Sequence, residues 1–219
     1  MSVVVAVKEG NKIYMGADSQ VTKGGTRTTL KNPNNYKIWK VDGVDKCLMG
    51  HVGNLRDGNV VRLMRSVIDD YDEFYKRVDY RFVVKYLVPE IVKTLREACY
   101  LKASPEYVDY LDSSFLFAYR DKLYSINCDL SVIEIDDYVA IGSGADQALG
   151  SLLSTEGQDP KERIVKAIKA SAAADIYVDY PIILTDTGKG EFEIITEKDE
   201  SKYLDSHTSE NKKEDKKKS

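Results

Sequence analysis

Histidine is nearly absent from this chain, and its scarcity argues against several kinds of site. The 219 residues contain two histidines, His51 and His207. A zinc site or a Ser-His-Asp triad would depend almost entirely on His51, which argues against both. The three cysteines, Cys47, Cys99 and Cys128, are far apart and lack metal-ligand spacing. We therefore expect reduced core thiols, no metal site and no cofactor.

Long apolar runs and a surplus of basic charge are also missing. No stretch reaches the roughly 20 apolar residues that a membrane helix needs. A secretion signal has a basic segment followed by an apolar one, and the start of this chain has no such pattern. The formal net charge of −4 argues against a nucleic-acid binder, which usually carries a basic surface. We therefore expect a cytoplasmic protein that binds neither nucleic acid nor membrane.

The chain does contain enough apolar residues, 42% of 219, to bury one sizeable core. Strand patterns joined by short turns occur in groups, and pairs of amphipathic helices separate the groups. Grouped strands with hairpin turns are typical of an α+β fold with antiparallel sheets. The strands are almost wholly apolar, so both of their faces should be covered. We predict a four-layer αββα sandwich, with two sheets between two helix pairs.

The hydrophobic periodicity gives approximate bounds for these elements. The predicted strands cover about 3–7, 13–17, 36–41, 46–51, 114–119, 123–127, 137–141, 181–186 and 191–196. Residues 19–35 are predicted to be a loop or an excursion at the sheet edge. The first two predicted helices cover about 55–68 and 81–103, and Pro89 should kink the second or mark a boundary in it. A third helix is predicted after Gly144, with Leu149 and Leu153 facing inward. A fourth is predicted from Pro160, with Asp159 as its N-cap.

Domain organisation follows from an abrupt change of composition near residue 197. We expect a single domain over residues 1–196. Residues 197–219 are strongly charged and have few apolar side chains. Such a segment cannot bury enough surface to offset the entropy lost on ordering, so we predict a disordered tail.

The beginning of the chain suggests a particular chemistry. Methionine is readily removed before a small residue, so Ser2 can become the N-terminal residue. A terminal amine has a pKa of about 7.7–8.0 and can act as the general base for its own hydroxyl, without a histidine. Asp18 ends the next strand, and Lys37 could point to the same end of the sheet, where its charge would favour the neutral amine. The alternative is that Ser2 merely begins a buried strand.

A glycine-containing stretch at 49–54 joins a predicted strand to a predicted helix. Backbone N–H groups at such a helix start are available to bind an oxyanion. Gly53 could equally be a turn glycine. Asn54 could shape a pocket or begin the helix, and His51 could line a substrate pocket or be a buried, hydrogen-bonded side chain.

Several short motifs occur in the order found in one family. They are Ser2 before the run 3–7, Gly16-Ala17-Asp18, Lys37-Ile38-Trp39-Lys40-Val41, Gly50 with Gly53, Ile141-Gly142-Ser143-Gly144 with Ala148, and Ala172 to Tyr177 around Asp175. In this pattern the sequence resembles proteasome β-type subunits, and especially the bacterial double-ring peptidases of that family. The resemblance covers about residues 2–196.

The resemblance implies the αββα fold of N-terminal nucleophile hydrolases and peptide hydrolysis of the threonine type. Ser2 would be the nucleophile, where most of the family carries threonine, and its amine would be the base. The resemblance also implies that Lys37 and Asp18 tune the amine and that the Gly53 N–H binds the oxyanion.

Two further residues, Ser143 and Asp175, are implied as supports for the terminal amine, although Asp175 could simply end a helix. We expect His51 and Asn54 to contact substrate. The family also implies a homo-oligomeric ring that acts on peptides or unfolded proteins, with an ATPase ring as a possible partner. Two alternatives remain: a ring subunit without catalysis that serves as scaffold or gate, and an amidase for small molecules.

Overall fold

The computed structural model describes residues 2–64, 78–99, 111–188, 191–199 and 201. Twelve strands occur within these ranges: β1 Val3–Glu9, β2 Lys12–Ala17, β3 Gln20–Lys23, β4 Thr26–Thr29, β5 Ile38–Lys40, β6 Cys47–Gly53, β7 Ser113–Tyr119, β8 Lys122–Ile126, β9 Val132–Ile135, β10 Tyr138–Gly142, β11 Ile182–Asp186 and β12 Glu193–Ile195. One five-stranded sheet has the order β10-β1-β2-β11-β12, and the other has the order β5-β6-β7-β8-β9. Every pairing in both sheets is antiparallel.

The helices lie outside the two sheets. In chain order they are a 3-10 turn Pro33–Asn35, α1 Leu55–Arg62, α2 Tyr80–Phe82, a π-helical turn Val83–Leu87, α3 Val88–Cys99, α4 Ala145–Ser154 and α5 Pro160–Ala174. Helices α4 and α5 pack on the sheet that contains β1, and α1 and α3 contribute to the cluster on the outer face of the other sheet.

Strand β1 shows why the strands are apolar at every position. Val3, Val5 and Val7 pack in one cluster with residues of α4 and α5, whereas Val4 and Ala6 face the second sheet. Successive side chains of a strand point to opposite faces, so a strand between a helix layer and a sheet needs apolar residues on both. The predicted αββα sandwich is confirmed.

Most of the predicted elements are confirmed, with two differences. The hairpin around Gly10 and Asn11 joins β1 to β2. Residues 19–35 are not simply a loop, because β3 and β4 form a two-stranded hairpin there. Strand β9 was not predicted at all. The side chains of β4 are all exposed, so this strand carries no core-facing apolar pattern. In the four-residue β9, Val132 and Ile135 pack against the core clusters but are only half-buried.

Two predictions about buried side chains are wrong. In α4 the buried positions are Ala148 and Leu152, whereas Leu153 is 63% exposed and Leu149 is also exposed. Consecutive helical residues lie about 100° apart, so the neighbours of the buried pair point away from the sheet.

The predicted core cysteines are confirmed only in part. Cys47 is buried, but Cys128 is half-exposed. The side chain of Cys99 lies outside the described residues.

Pro89 lies within a continuous helical stretch, two residues after the end of the π-helical turn. The N–H of Val88 donates to the carbonyl of Val83, five residues earlier. Proline has no N–H and crowds the preceding turn, and a π-helical turn is one way in which a helix accommodates such a residue. Pro89 thus marks the boundary between two helical geometries.

The first helix ends at Arg62, earlier than the predicted bound near residue 68, and Leu63, predicted to lie on its apolar side, is exposed. The end of the second helix beyond residue 99 and nearly all of the predicted tail lie outside the described residues. The domain boundary at residue 196 stays a prediction. Among the described helices, none is both long enough and apolar enough to span a membrane.

The N-terminus of α5 gives a direct test of the helix prediction. The Asp159 carboxylate accepts hydrogen bonds from the N–H groups of Lys161 at 2.9 Å and Glu162 at 3.2 Å. We expect Asp159→Ala to lower the free energy of unfolding by about 1 kcal/mol, because two N–H groups lose their acceptor. Asp159→Asn, which keeps an oxygen acceptor, should stay close to wild type in urea denaturation. Equal losses for the two variants would contradict this explanation.

Candidate active site

Strand register brings three of the predicted site residues to one end of the first sheet. Val3 pairs with Gly142 in β10, and Val4 pairs with Ala17 in β2. The residue before Val3 is Ser2, and the residues after the two partners are Ser143 and Asp18. The Ser2 nitrogen donates to Ser143 Oγ at 3.1 Å, and Ser143 Oγ lies 3.4 Å from the Ser2 carbonyl oxygen.

Asp18 and Lys37 form a buried ion pair that joins the two sheets. Lys37 directly precedes β5 of the second sheet, and its Nζ lies 2.7 Å from Asp18 Oδ1. The exposed fraction of the side chain is 4% for Lys37 and 0% for Asp18. The same Oδ1 accepts the Val3 N–H at 3.0 Å. The Lys37 ammonium is thereby held beside the first residues of β1.

Gln20 completes this network, although no motif in the sequence marks it. Its N–H donates to Asp18 Oδ2 at 3.0 Å, and its carbonyl oxygen accepts from Lys37 Nζ at 2.6 Å. Both contributions come from the backbone, so no side-chain pattern could have revealed them. The ion pair therefore has hydrogen-bond partners on both of its members, as a buried pair requires.

Burial shifts the pKa values of the pair in opposite directions. It lowers the pKa of the Lys37 ammonium from its ordinary value, against the attraction of Asp18. It raises the pKa of the Asp18 carboxyl, against the Lys37 charge and the N–H donors of Val3 and Gln20. Shifted titrations that arise from burial plus a charged partner are frequent at functional sites.

Gly53 and Gly142 form the two tight corners beside Ser2. Gly53 has a φ of +115° and Gly142 a φ of +106°, values that favour glycine. A Cβ on Gly142 would lie 2.1 Å from the Ser2 carbonyl oxygen, and a Cβ on Gly53 would lie 2.2 Å from the Asp112 carbonyl oxygen. Both positions therefore require glycine for conformation and for space.

Asn54 begins helix α1. Its side-chain oxygen accepts the Arg56 N–H at 3.1 Å, which is the N-cap arrangement that the sequence left open. Its own N–H donates to Ser113 Oγ at 3.1 Å. The Asn54 N–H is therefore already engaged, whereas Gly53 remains the predicted oxyanion donor.

Asp175 follows the last residue of α5. One carboxylate oxygen accepts the Tyr177 N–H at 2.9 Å. The other, Oδ2, is buried and has no hydrogen-bond partner within the described residues. Its charge acts on the pKa of Lys37. A buried carboxylate oxygen without a donor is costly. The role of Asp175 as a support for the terminal amine stays a prediction.

His51 is a buried, hydrogen-bonded side chain, as one of the two sequence alternatives had it. It lies in a second network whose other members the sequence does not mark. Its Nε2 lies 3.2 Å from Ser113 Oγ, and Ser113 Oγ donates to Asp57 Oδ2 at 2.7 Å. All three residues are at most 5% exposed. Asp57 lies three residues after Asn54, where the sequence suggests only a helix-capping acid, and Ser113 resembles any serine at the start of a strand.

This second network is not a Ser-His-Asp triad. In a triad the histidine lies between the acid and the serine, whereas here Ser113 lies between Asp57 and His51. Burial lowers the pKa of His51 to about 3, and the Lys37 charge acts in the same direction. The His51 ring is therefore neutral near pH 7 and a weak base.

Five of the eight predicted site residues share one open cleft of about 550 Å³. They are Ser2, Lys37, His51, Gly53 and Asn54. The other three do not line this cleft but act on residues that do: Asp18 contacts Lys37, Ser143 contacts Ser2, and Asp175 acts on Lys37 through its charge. Among the described residues, no group of three or more His, Cys, Asp or Glu side chains could hold a metal ion.

A family model for proteasome subunits matches residues 2–178 of this chain. The chain belongs to the proteasome subunit family. It is 28% identical over 193 residues to the ATP-dependent protease subunit HslV of Borrelia duttonii, covering 85% of this chain and 97% of that one. It is 29% identical over 181 residues to HslV of Amoebophilus asiaticus, and the match covers 81% of this chain and 90% of that one.

A solved structure agrees with the family at the level of the fold. The crystal structure of HslV from Trypanosoma brucei has a TM-score of 0.62 with this chain at 19% identity, covering 84% of this chain and 98% of that one. The proteasome-type resemblance inferred from the motifs is thus confirmed. Family membership and the relatives' descriptions indicate proteolysis as the class of activity.

The low pKa of His51 predicts how the stability of this proteasome-family chain depends on pH. Unfolded histidine has a pKa of about 6.5, so between pH 6.5 and about 3 the unfolded state binds a proton on His51 that the folded state excludes. The stability that His51 contributes is complete above pH 6.5, and we expect it to fall by up to about 1.4 kcal/mol per pH unit as the pH drops through this window.

Thermal unfolding between pH 7 and pH 4 tests this expectation. The His51→Gln variant, whose amide cannot titrate, should show a shallower loss of Tm with falling pH than wild type. His207→Gln removes the other histidine and should keep the wild-type slope. The explanation fails if all three proteins have the same slope.

Proposed function

We propose that this chain is a peptidase subunit whose nucleophile is the Ser2 hydroxyl, exposed by removal of Met1. The observation that carries the proposal is the contact of Asp18 with both the Val3 N–H and Lys37 Nζ. A buried ammonium is thereby held beside the first residue of the mature chain, within a cleft that Ser2 also lines.

The terminal amine of Ser2 would be the general base. A free amine has a pKa of about 7.7–8.0, and the nearby positive charge of Lys37 lowers that pKa further, because it opposes a second positive charge. A larger fraction of the amine is then neutral near pH 7. Neutral His51, with its pKa of about 3, cannot compete for this role.

In the acylation step the Ser2 hydroxyl proton moves to the terminal amine as Oγ bonds to the carbonyl carbon of the peptide. The carbonyl π electrons move to its oxygen, which Gly53 N–H would stabilise. The C–N bond then breaks, and the departing amine takes the proton from the Ser2 ammonium. The products are the released amine fragment and an ester at Ser2 Oγ.

Water completes the cycle by the same route. The neutral Ser2 amine accepts a proton from water as the water oxygen bonds to the ester carbon. The C–Oγ bond breaks, the proton returns to Oγ, and a carboxylic acid leaves. One group thus serves as base and acid in both halves of the reaction.

Ser143 and Asp175 would hold the amine in position. The Ser2 nitrogen already donates to Ser143 Oγ at 3.1 Å. Once Met1 is removed, that nitrogen carries further hydrogens that need acceptors. Asp175 Oδ2, buried and without a partner among the described residues, is the acceptor that we propose. His51 and Asn54 would contact the substrate as lining residues of the cleft.

The assembly proposal follows from the relatives. Those relatives are described as subunits of an ATP-dependent protease. We propose that this chain also forms a ring of identical copies in the cytoplasm, acts on peptides or unfolded proteins, and receives substrate from an ATPase ring.

Substitution of Ser2 tests the chemistry. We expect Ser2→Ala to abolish peptidase activity, because alanine keeps the amine and a small side chain that permits Met1 removal but has no hydroxyl. Ser2→Thr should remain active and match or exceed wild type, because its branched side chain restricts the χ1 rotamer. The measurement is hydrolysis of fluorogenic peptides by purified protein.

The intact mass of each protein after incubation with a β-lactone or vinyl sulfone inhibitor shows whether Met1 has been removed and whether the inhibitor has bound covalently. Wild type and Ser2→Thr should lack Met1 and carry one adduct per chain, and Ser2→Ala should carry none. Retained activity in Ser2→Ala would refute the Ser2 mechanism. Retention of Met1 with no adduct on wild type would instead favour a ring subunit without catalysis.

Size in solution tests the assembly. We expect light scattering to give the mass of a closed ring or double ring for wild type and for Ser2→Ala alike, because the hydroxyl does not contribute to association. An active monomer or dimer would contradict the ring and would favour an amidase for small molecules.

A further inference from the structure

We propose that Ser113 is a positioning residue that fixes the Gly53–Asn54 corner relative to Ser2, and that Asp57 holds the Ser113 hydroxyl for this purpose. The inference rests on the proposed function, because Gly53 matters to catalysis only if its N–H binds the oxyanion. None of the motifs that carried the family resemblance includes Ser113 or Asp57.

The Ser113 hydroxyl is the centre of three contacts. It donates to Asp57 Oδ2 at 2.7 Å, accepts the Asn54 N–H at 3.1 Å, and lies 3.2 Å from His51 Nε2. A serine hydroxyl has one donor and two acceptor positions, so these contacts use its full capacity when Nε2 carries the proton of the neutral His51 ring. Its orientation is therefore fixed by three groups on two different elements.

Contact between Ser113 and Gly53 is direct. The two residues pair in the register of β6 and β7, and a Cβ on Gly53 would lie 2.6 Å from Ser113 Cα and 2.8 Å from its Oγ. Gly53 thus rests against the backbone and hydroxyl of Ser113. Any shift of Ser113 moves the corner, and a misplacement of about 1 Å at a reacting centre can cost roughly 100-fold in rate.

Burial makes the hydroxyl hard to replace. Ser113, Asp57 and His51 are 2%, 5% and 4% exposed. If the hydroxyl is removed, the Asn54 N–H and the Asp57 carboxylate each lose a partner in a place that water reaches poorly. Unsatisfied buried groups of this kind drive local rearrangement. We expect the Gly53–Asn54 corner to move, because the Asn54 N–H belongs to it.

The experiment compares Ser113→Ala with a matched control, Ser125→Ala. Ser125 is equally buried, lies on the neighbouring strand β8, and donates to Asn127 Oδ1 at 3.2 Å, away from the cleft. We expect Ser113→Ala to lower kcat for a fluorogenic peptide by about 10- to 100-fold, in line with a misplaced oxyanion donor, with little change in KM. Ser125→Ala should keep the wild-type kcat.

Two variants of Asp57 separate positioning from folding and keep the proposal testable if Ser113→Ala fails to fold. Asp57→Leu removes the acceptor of the Ser113 proton, whereas Asp57→Asn keeps an oxygen in the same place. We expect Asp57→Leu to show the same kcat loss as Ser113→Ala, and Asp57→Asn to restore most of the activity. Equal kcat values for the Asp57→Leu and Asp57→Asn variants would overturn the role of this hydrogen bond.

Hydrogen exchange at the Asn54 amide provides a readout that does not depend on activity. We expect the Asn54 amide hydrogen to exchange faster in the Ser113→Ala variant than in wild type, and at the wild-type rate in the Ser125→Ala variant. Wild-type protection of Asn54 in Ser113→Ala overturns the proposal, and so does a wild-type kcat in that variant. If the wild-type chain hydrolyses no peptide, the proposed function has failed, and the exchange result alone decides whether Ser113 positions the corner.

Discussion

The buried contact between Lys37 and Asp18 is the interaction on which the rest of the site depends. It joins the edge strand β5 of one sheet to the end of β2 in the other, and it does so where β1 begins. Two charges in an apolar sandwich are tolerable only when both are paired and hydrogen-bonded. The backbone of Val3 and Gln20 supplies those hydrogen bonds, so the sheets cannot slide at this end without leaving a charge unsatisfied.

Close backbone approach is the second constraint, and glycine meets it. The corners at Gly53 and Gly142 bring strand ends from both sheets around Ser2. Gly50 has a related role within the sandwich, because a Cβ there would lie 2.8 Å from Val4 Cγ1. The cleft is therefore built from strand ends and tight corners of a rigid core, which is a suitable support for groups that must keep their spacing during a reaction.

Two polar networks lie on either side of the Gly53 corner. On the side of Ser2, Asp18 and Lys37 form the buried ion pair. On the side of helix α1, Asp57, Ser113 and His51 form the network that binds the Asn54 N–H. The two networks are joined where the backbone N–H of His51 donates to the Lys37 carbonyl at 2.8 Å. Fully satisfied buried networks hold their surroundings in one arrangement, and here the arrangement held is the geometry of the cleft.

The sequence by itself determined the layer order, because strands that are apolar on both faces and amphipathic helices leave few other ways to bury a core. The sequence also marked the glycines at the corners. Through the order of its motifs it indicated the family and the candidate site residues from Ser2 to Asp175. Only the tertiary structure decided that Lys37 reaches Asp18 across two sheets, that Gln20 contributes through its backbone, and that Ser113 and Asp57 lie behind Gly53. The physical reason is that periodicity records which face of an element is buried, whereas contacts between short polar side chains and backbone groups depend on register and on sheet packing, which no local pattern encodes.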